Sequence, residues 1–375
     1  RAGARSVVKG KSMVSEEVGF NHAMEAAGIA AVETDMGEYI VQLAGETPSH
    51  IITPVIHKTK EQVAEILHDK IGMPPTNEVT EMTAFVRAKM REIFLTADMG
   101  ISGVNFGVAE TGTIVTVTNE GNGRMTTTCP RIHVAVMGIE RLVPNLDDLS
   151  VMLQVLGRSA TGQKLSVYTN LITGPRRSNE PDGPDELHVV LIDNGRSKVL
   201  ASEVAEILYC IRCGACLNAC PVYREIGGHA YGSVYPGPIG SVVTPALYGV
   251  AAWSDLPHAS SLCGACREVC PVRIDLPGLL LKLRHQTDEA GKTPKYLQVG
   301  LRAFRWAGTH PLMYHLGMKF ASLGTRLIAS HGWIKRLPGP LSHWTQSRDF
   351  PVFAKESFSA RLKKQRQNRG LEGKR

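Results

Sequence analysis

Residues 210–221 read Cys-Ile-Arg-Cys-Gly-Ala-Cys-Leu-Asn-Ala-Cys-Pro, and residues 263–271 read Cys-Gly-Ala-Cys-Arg-Glu-Val-Cys-Pro. The first run is a complete C-x2-C-x2-C-x3-C-P pattern, and the second is the same pattern without its first cysteine. Two-cluster bacterial ferredoxins use this spacing, because three close thiolates hold one iron–sulfur cluster and the fourth reaches the other. The two runs therefore predict a ferredoxin-like, double-cluster region that handles electrons.

The ferredoxin pattern divides these seven cysteines into two sets of ligands. Cluster 1 takes Cys210, Cys213, Cys216 and Cys270, and cluster 2 takes Cys220, Cys263 and Cys266. Gly214 and Gly264 keep side chains away from the clusters and leave backbone N–H groups free to donate to sulfur, which tunes the reduction potential.

The second set lacks one thiolate, because Ser260 stands where the pattern places its first cysteine. Three outcomes are open: a 3Fe-4S cluster, a 4Fe-4S cluster with a non-cysteine ligand such as Ser260 or water, or recruitment of Cys129. Cys129 is distant in sequence, and we expect it to be a small buried residue. Structural zinc is disfavoured, since it normally takes four ligands from two separated pairs into one tetrahedral site.

Length and composition exclude several classes of protein. With 375 residues, 43% of them apolar and 21% charged, the chain resembles an ordinary folded protein of two or more domains. About 200 residues precede the first cysteine run with only Cys129 among them, which argues against a secreted disulfide scaffold and for a reducing cytoplasm.

The net charge of +7 is concentrated at one end, since residues 355–375 contribute eight basic and two acidic residues. The nearly neutral remainder argues against nucleic-acid binding. The basic tail is either a solvated terminus or a contact for an anionic partner or lipid surface.

The first half alternates strand and helix patterns, which predicts an α/β domain with a mainly parallel sheet and hairpin additions. Strand patterns cover residues 30–34, 39–43, 50–52, 104–109, 112–118, 132–137 and 187–192. Helix patterns cover residues 15–27, 59–71 and 79–96.

Two further segments lack the hydrophobic periodicity of a helix or a strand. The uncharged stretch 230–254 contains three prolines, so we expect an ordered loop between the cysteine runs instead of a membrane helix. Residues 121–123, Gly-Asn-Gly, predict a hairpin turn with no helix after it.

Beyond residue 295, aromatic and basic residues predict helices that pack on the cluster domain or form a docking face for a redox partner or membrane.

The chain resembles the lactate-utilisation iron–sulfur protein family, known as LutB, LldF or YkgF. The resemblance covers nearly the whole chain and includes both cysteine runs. Its other matching stretches are residues 8–13 (VKGKSM), 33–40 (ETDMGEYI), 109–113 (AETGT), 118–124 (TNEGNGR) and 237–240 (GPIG).

The resemblance implies three domains. Residues 1–200 would form an α/β LUD domain similar to the NagB, RpiA and CoA-transferase folds, residues 201–290 the α-helical ferredoxin-type domain, and residues 291–375 a helical region with the basic tail. Family members carry further residues before the point where this chain starts, so we expect the LUD domain to be truncated at its N-terminus.

The resemblance also implies a role in oxidising L-lactate to pyruvate, together with LutA-like and LutC-like subunits. In this role the chain is a non-catalytic redox subunit that passes electrons singly through two clusters to an acceptor such as a quinone. It would lie in the cytoplasm, with peripheral contact at the inner face of the membrane as an option. Two alternatives remain: the LUD domain itself binds and oxidises a 2-hydroxy acid such as lactate or glycolate, or the chain serves a quinone-linked dehydrogenase for another substrate.

The α/β half offers four candidates for a small-molecule pocket. Glu110 and Thr111 lie in one predicted turn, and Asn119 and Glu120 lie in the next. A carboxylate buried near backbone N–H groups there would accept a proton from a hydroxy acid.

Overall fold

The computed structural model describes residues 3–368. Two compact units divide the chain, Arg1–Lys292 and Thr293–Arg375. The strands of the chain are β1 (Ser6–Lys9), β2 (Ala30–Glu33), β3 (Met99–Gly103), β4 (Phe106–Val108), β5 (Thr113–Thr118), β6 (Ile132–Gly138), β7 (Leu142–Val143), β8 (Tyr168–Ile172), β9 (Glu186–Ile192), β10 (Trp333–Ile334) and β11 (Phe350–Pro351).

The α-helices connect and cover these strands in the first unit and dominate the remainder of the chain. They are α1 (Met13–Glu17), α2 (Phe20–Ala26), α3 (Met36–Ala44), α4 (Lys60–Ile71), α5 (Val79–Thr96), α6 (Asn122–Thr128), α7 (Leu146–Thr161), α8 (Arg196–Leu200), α9 (Ala215–Ala219), α10 (Pro221–Ile226), α11 (Gly237–Tyr248), α12 (Ala265–Glu268), α13 (Leu276–Glu289), α14 (Lys295–Thr309), α15 (Pro311–Ile328) and α16 (Phe358–Asn368).

The main sheet is parallel throughout and has the strand order β2-β1-β3-β6-β9. A smaller mixed sheet, β7-β4-β5-β8, contains the β4–β5 hairpin. These sheets confirm the predicted α/β region with a mainly parallel sheet and hairpin additions. Because parallel strands end at a common edge, the segments that follow β1, β2 and β3 are brought together there.

The cysteine-rich region shares its core with the α/β region. Ile211 and Cys213, from the first cysteine run, pack with Phe106 and Val115 of the small sheet. In turn, Ile51 from the α/β region packs in the core of the cluster region. The first unit therefore buries both regions against each other.

Four local predictions from the sequence were wrong. Residues 50–52 form a bend and not a strand, because the His50 Nδ1 accepts hydrogen bonds from the backbone N–H groups of Ile52 and Thr53. Residues 39–43 are not a strand but belong to α3, since the Asp35 side chain caps its first turn and Gly45 ends it in a left-handed conformation. The helix α6 begins within the predicted turn at residues 121–123. The predicted pattern at residues 15–27 is two short helices, α1 and α2, separated at Gly19, whose φ is 64°.

The uncharged stretch 230–254 is also not a loop along its whole length, because it contains the buried helix α11. Pro238 lies in the first turn, where its missing N–H costs no helical hydrogen bond. Pro245 lies inside the last turns and is buried, and Ile239 and Val242 of the same helix belong to the core of the cluster region. Burial of apolar side chains on every side outweighs the cost of an internal proline here.

The second unit consists of α14, α15, the β10–β11 hairpin and α16. Large apolar side chains such as Phe304, Trp306 and Leu312 are exposed on its helices. Within residues 3–368, no helix has the length and hydropathy that a membrane span requires. Residues 369–375 of the basic tail lie outside the described residues.

Candidate metal centre

The two cysteine runs form the same backbone turn twice. In the first run, Arg212 and Gly214 flank Cys213 with φ angles of 59° and 77°. In the second run, Leu262 and Gly264 flank Cys263 with φ angles of 54° and 87°. A short helix follows each glycine immediately, α9 in the first run and α12 in the second. Glycine suits the second left-handed position because it has no Cβ, whereas a side chain there is strained.

Backbone N–H groups favour negative charge on the sulfurs of both runs. Three sulfurs accept a hydrogen bond, with N···Sγ distances of 3.4 Å from Arg212 to Cys210, 3.5 Å from Tyr223 to Cys220 and 3.4 Å from Ile274 to Cys270. At the other four sulfurs a backbone N–H group lowers the thiol pKa: Ala215 at Cys213, Ile239 at Cys216, Ala265 at Cys263 and Arg267 at Cys266. Such donors stabilise negative charge on sulfur, as ligands of an iron–sulfur cluster require.

The thiols fall into two groups, and within each group a charged cysteine raises the pKa of its neighbours. Burial raises the pKa of Cys213 to about 11, and the thiolates of Cys210 and Cys270 add to this effect. Burial likewise raises the pKa of Cys216, with further contributions from Cys210 and Cys213. In the other group, burial and the thiolates of Cys220 and Cys263 raise the pKa of Cys266 to about 11. With raised pKa values these thiols stay protonated at neutral pH unless a metal stabilises the thiolates, as the iron of a bound cluster would do.

The spacing of the thiols fits a cluster better than a single metal ion. A tetrahedral zinc with bonds of about 2.3 Å places its sulfurs within about 4 Å of one another. Among the residues that the structure describes, no three cysteine sulfurs lie within 4.8 Å of one another. Sulfurs that bind different irons of one cluster lie farther apart, so the residues fit iron–sulfur clusters.

Ser260 repeats the local geometry of Cys210. Its hydroxyl accepts a hydrogen bond from Leu262 N at 3.1 Å, as the Cys210 sulfur does from Arg212 N. Arg284 on α13 also holds this segment, because its Nη2 donates to the Ser260 carbonyl at 3.0 Å. Cys129, by contrast, is exposed at the end of α6, and the expectation that it is buried was wrong.

Buried arginines surround the first cysteine run but not the second. Arg141 donates from Nη1 to the Cys210 carbonyl at 2.8 Å. The guanidinium of Arg212 lies 4.5 Å from the centre of the Tyr235 ring. Burial lowers the pKa of Arg212, but neighbouring negative charges, among them Tyr235 and the Cys210 thiolate, raise it above its usual value. Glu140 lies between the two arginines, 3.5 Å from Arg141 and 3.8 Å from Arg212. The second run has Leu262 where the first has Arg212, so only the first places a cation at this position.

A second buried ion network joins the α/β region to the cluster region. Arg196 binds Glu17 with both terminal nitrogens, at 2.7 Å and 2.9 Å, and binds Glu140 through Nε at 2.5 Å. Tyr235, from the cluster region, donates its hydroxyl to Glu17 at 2.7 Å. Although burial raises the pKa of Glu17, hydrogen bonds from Arg196, Asn194 and Tyr235 hold it below its usual value. The sequence carries no local signal for Arg196, Glu17 or Tyr235. The difference between Arg212 and Leu262, at equivalent positions of the two cysteine runs, is visible in the sequence.

The structure does not bring the four predicted pocket residues together. Asn119 and Glu120 follow the end of β5 and line a cavity of about 400 Å³. Glu110 and Thr111 lie in the exposed turn before β5, at the opposite end of that strand. Glu110 is therefore not the buried carboxylate that the sequence led us to expect.

Comparison with known families agrees with these observations along the chain. Residues 3–192 match the LUD domain, residues 206–274 match the 4Fe-4S dicluster domain, and residues 284–367 match the C-terminal region of lactate utilisation protein B. These matches confirm the predicted LUD region and the predicted iron–sulfur clusters. The boundaries at residues 200 and 290 remain a prediction.

Several curated proteins resemble the chain over most of its length. The uncharacterized electron transport protein YkgF of Escherichia coli (strain K12) is 49% identical over 364 residues, which cover 97% of this chain and 77% of the relative. Lactate utilization protein B of Bacillus pumilus is 48% identical, with 96% of this chain and 76% of the relative covered. The protein of the same name from Bacillus licheniformis is 46% identical, with 98% and 77% covered. The chain belongs to the lactate utilisation protein B family.

Proposed function

We propose that the chain is the iron–sulfur electron-transfer subunit of a complex that oxidises L-lactate to pyruvate. The observation that carries this proposal is the pair of equivalent cysteine turns, in which backbone N–H groups either donate to the sulfurs or lower the pKa of the thiols. The names of the relatives, lactate utilization protein B and an electron transport protein, support the substrate and the role.

The proposed ligand sets follow the two groups of thiols. Cluster 1 is bound by Cys210, Cys213, Cys216 and Cys270, and cluster 2 by Cys220, Cys263, Cys266 and the hydroxyl of Ser260. The geometry that Ser260 shares with Cys210 favours it over Cys129 as the fourth ligand. The pKa of Cys216 also responds to Cys266, which supports close neighbourhood of the two sites.

Oxidation of the lactate C–OH group to the pyruvate C=O group releases two electrons and two protons. Each bound cluster accepts one electron at a time, so two clusters together carry the pair toward an acceptor such as a quinone, which takes up both electrons and two protons. LutA-like and LutC-like subunits complete the proposed complex and contribute the chemistry at lactate. Around the clusters, buried apolar residues such as Leu217 and Ile239 exclude water.

We place the subunit in the reducing cytoplasm. Within the described residues, all eight cysteines are free thiols, as iron–sulfur ligation requires. Contact with the inner face of the membrane remains a proposal for the exposed apolar side chains of α14 and α15.

One alternative has support from a specific observation. The cavity lined by Asn119 and Glu120 also contacts Arg212, which lies within the first cysteine run. The LUD region could therefore bind a 2-hydroxy acid, lactate or glycolate, beside its own clusters.

The ligand assignment is tested by the variants Ser260→Cys and Ser260→Ala, purified anaerobically with their iron. We expect Ser260→Cys to hold about eight irons and to show only 4Fe-4S signals by EPR, because a fourth thiolate closes the site. Ser260→Ala is expected to lose one iron and give an oxidised 3Fe-4S signal. Ser261→Cys, which places a thiol one residue away, serves as the matched control. If Ser260→Ala keeps the iron count and the spectrum of the wild type, Ser260 is not the fourth ligand.

The role of the chain is tested by adding L-lactate to the reconstituted protein with and without its partner subunits. The carrier proposal predicts cluster reduction only when the partners are present. Reduction by the chain alone would instead favour the alternative, in which the LUD region oxidises the hydroxy acid.

A further inference from the structure

A second group of side chains that can ligate a metal lies apart from the cysteines. Glu46 and His57 belong to the connection between α3 and α4, and His229 follows α10 in the cluster region. One carboxylate oxygen of Glu46 and one ring nitrogen of each histidine all lie within 4.8 Å of one another. In the part of the chain that the structure describes, no other three His, Cys, Asp or Glu side chains bring their ligand atoms this close. The fold therefore assembles three possible ligands from two segments that are distant in sequence.

The spacing of these three side chains is close to that of a coordination shell. His57 Nε2 lies 2.7 Å from Glu46 Oε2, and the rings of His57 and His229 meet edge to face with their centres 4.6 Å apart. A four-coordinate ion with bonds of about 2.0–2.1 Å holds its ligand atoms about 3.4 Å apart. Because Glu46 and His229 are exposed, small rotations of their side chains are enough to reach this spacing.

Each histidine ring also has a hydrogen-bond partner that orients it. His57 Nδ1 lies 3.0 Å from the Ser49 hydroxyl, which leaves Nε2 facing Glu46. His229 Nε2 donates to the Thr47 carbonyl at 2.7 Å, so the neutral ring carries its lone pair on Nδ1. Histidines that bind metals almost always have such a partner on the other ring nitrogen, because it fixes the tautomer and the orientation of the ring.

The two segments are held together by contacts that do not involve the three ligands. The Tyr223 hydroxyl donates to the Ser49 carbonyl at 2.7 Å. Gly228 packs so closely on the same carbonyl that an added Cβ would lie 1.7 Å from its oxygen, so a side chain at this position is excluded. His229 is therefore fixed beside the α3–α4 connection by its own neighbours in the chain. A site that is organised in advance loses little binding free energy to ordering.

One cation competes for the carboxylate. Lys58 Nζ forms an ion pair with Oε1 of Glu46, whereas Oε2 of the same carboxylate faces His57. The lysine therefore leaves one oxygen to serve as a ligand, although its charge repels an ion bound there. The exposure of Glu46 and His229 gives an ion access from solvent.

We propose that Glu46, His57 and His229 bind a zinc ion, with water in the fourth position. Two imidazoles and one carboxylate with an open position form a donor set that zinc takes in proteins. The ion would tie the α3–α4 connection to the segment after α10, close to cluster 2, because Tyr223 in this segment donates its backbone N–H to the Cys220 sulfur. The site uses none of the seven cluster cysteines, so it stands or falls independently of the electron-transfer role.

The proposal is tested by equilibrium dialysis of the anaerobic holoprotein against buffered Zn²⁺, followed by analysis of zinc and iron. We expect the wild type to bind one zinc per chain, and Glu46→Gln and His229→Ala, which each remove one ligand, to bind it at least tenfold more weakly with their iron content unchanged. Lys58→Met should bind zinc more tightly than the wild type, because the competing cation is gone. His285→Ala is the matched control, since His285 lies 3.3 Å from Glu289 in an exposed pair that has no third ligand among the described residues. Its zinc binding should equal that of the wild type.

X-ray absorption at the zinc edge distinguishes this site from zinc bound to cluster cysteines. We expect only nitrogen and oxygen neighbours, at about 2.0–2.1 Å, whereas cysteine ligation gives sulfur at about 2.3 Å. Zinc should also raise the melting temperature of the wild type but not that of His229→Ala, because the ion binds only the folded chain. A wild type that binds no zinc, a sulfur neighbour in its spectrum, or undiminished binding in both Glu46→Gln and His229→Ala would overturn the proposal. The three side chains would then be a hydrogen-bonded ion network without a metal.

Discussion

Arg212 offers a direct test of how the fold tunes cluster 1. We predict that Arg212→Leu lowers the reduction potential of cluster 1, because the variant removes a buried positive charge that favours the more negative, reduced cluster. Leucine is the appropriate replacement, since Leu262 occupies the equivalent position of the second run with a similar left-handed φ. The backbone turn should therefore survive the substitution.

The magnitude follows from the burial of Arg212, of which 10% is exposed, and from its place in the chain between the ligands Cys210 and Cys213. For unit charges about 6 Å apart at an effective dielectric constant of about 20, the interaction is about 3 kcal/mol. Glu140, 3.8 Å from the Arg212 guanidinium, offsets part of this. The remaining effect of about 2 kcal/mol corresponds to roughly 90 mV, since about 1.4 kcal/mol is equivalent to 59 mV for one electron.

The assay is a redox titration of the anaerobic holoprotein, monitored by EPR. One of the two midpoints should fall by roughly 90 mV in Arg212→Leu and stay near the wild-type value in Arg212→Lys, which keeps the charge. Arg267→Leu is the matched control: this arginine follows Cys266 directly, but 62% of its side chain is exposed and solvent screens its charge. A fall in Arg212→Leu no larger than in Arg267→Leu, or an equal fall of both midpoints, would refute the reasoning.

Three further predictions concern stability. Arg196→Met leaves two buried carboxylates without their shared cation, so it should lower the free energy of unfolding of the holoprotein by about 3–5 kcal/mol. Arg131→Met, at an exposed ion pair, is the control and should have little effect in the same thermal unfolding experiment. Similar losses of stability in the two variants would contradict this prediction. Burial raises the pKa of Glu38 from 4.5 to about 7, so the folded wild type loses about 3 kcal/mol of stability as the pH rises through this window. Glu38→Gln does not titrate there, so its melting temperature should rise relative to that of the wild type between about pH 5 and pH 7.5. A difference in melting temperature that stays constant over this pH range would contradict the prediction. Gly214→Ala should release iron faster in air than Gly264→Ala. An added Cβ at Gly214 would lie 3.1 Å from Ile52, whereas an added Cβ at Gly264 would meet open space. Equal rates of iron release from the two variants would contradict this prediction.

The sequence by itself predicted the features that depend on short spacing along the chain. The intervals between the cysteines and the glycines after Cys213 and Cys263 act within a few residues, so the repeated turn and short-range hydrogen bonds such as Arg212 N to the Cys210 sulfur follow from local geometry. The gap at Ser260 was visible for the same reason. The alternation of strand and helix patterns likewise predicted the α/β region, since the spacing of apolar residues within each element indicates a strand or a helix.

Local patterns failed where a cap or burial outweighed periodicity. The apolar residues 39–43 satisfy a strand pattern, but the Asp35 side chain caps a helix there. Residues 237–248 contain two prolines and no charge, and they form a helix because the core of the cluster region surrounds them. Neither outcome follows from propensity alone, because tertiary packing decides it.

Only the tertiary structure decided what surrounds the clusters. Arg212 is a single arginine in the sequence, and only the folded chain places Lys11, at the end of β1, and Asn119, after β5, in the lining of the same cavity. Lys11 and Asn119 precede Arg212 by 201 and 93 positions in the chain. Ligand spacing is a short-range property that the sequence encodes directly, whereas burial and charge balance arise from contacts between distant segments, which only the folded chain makes.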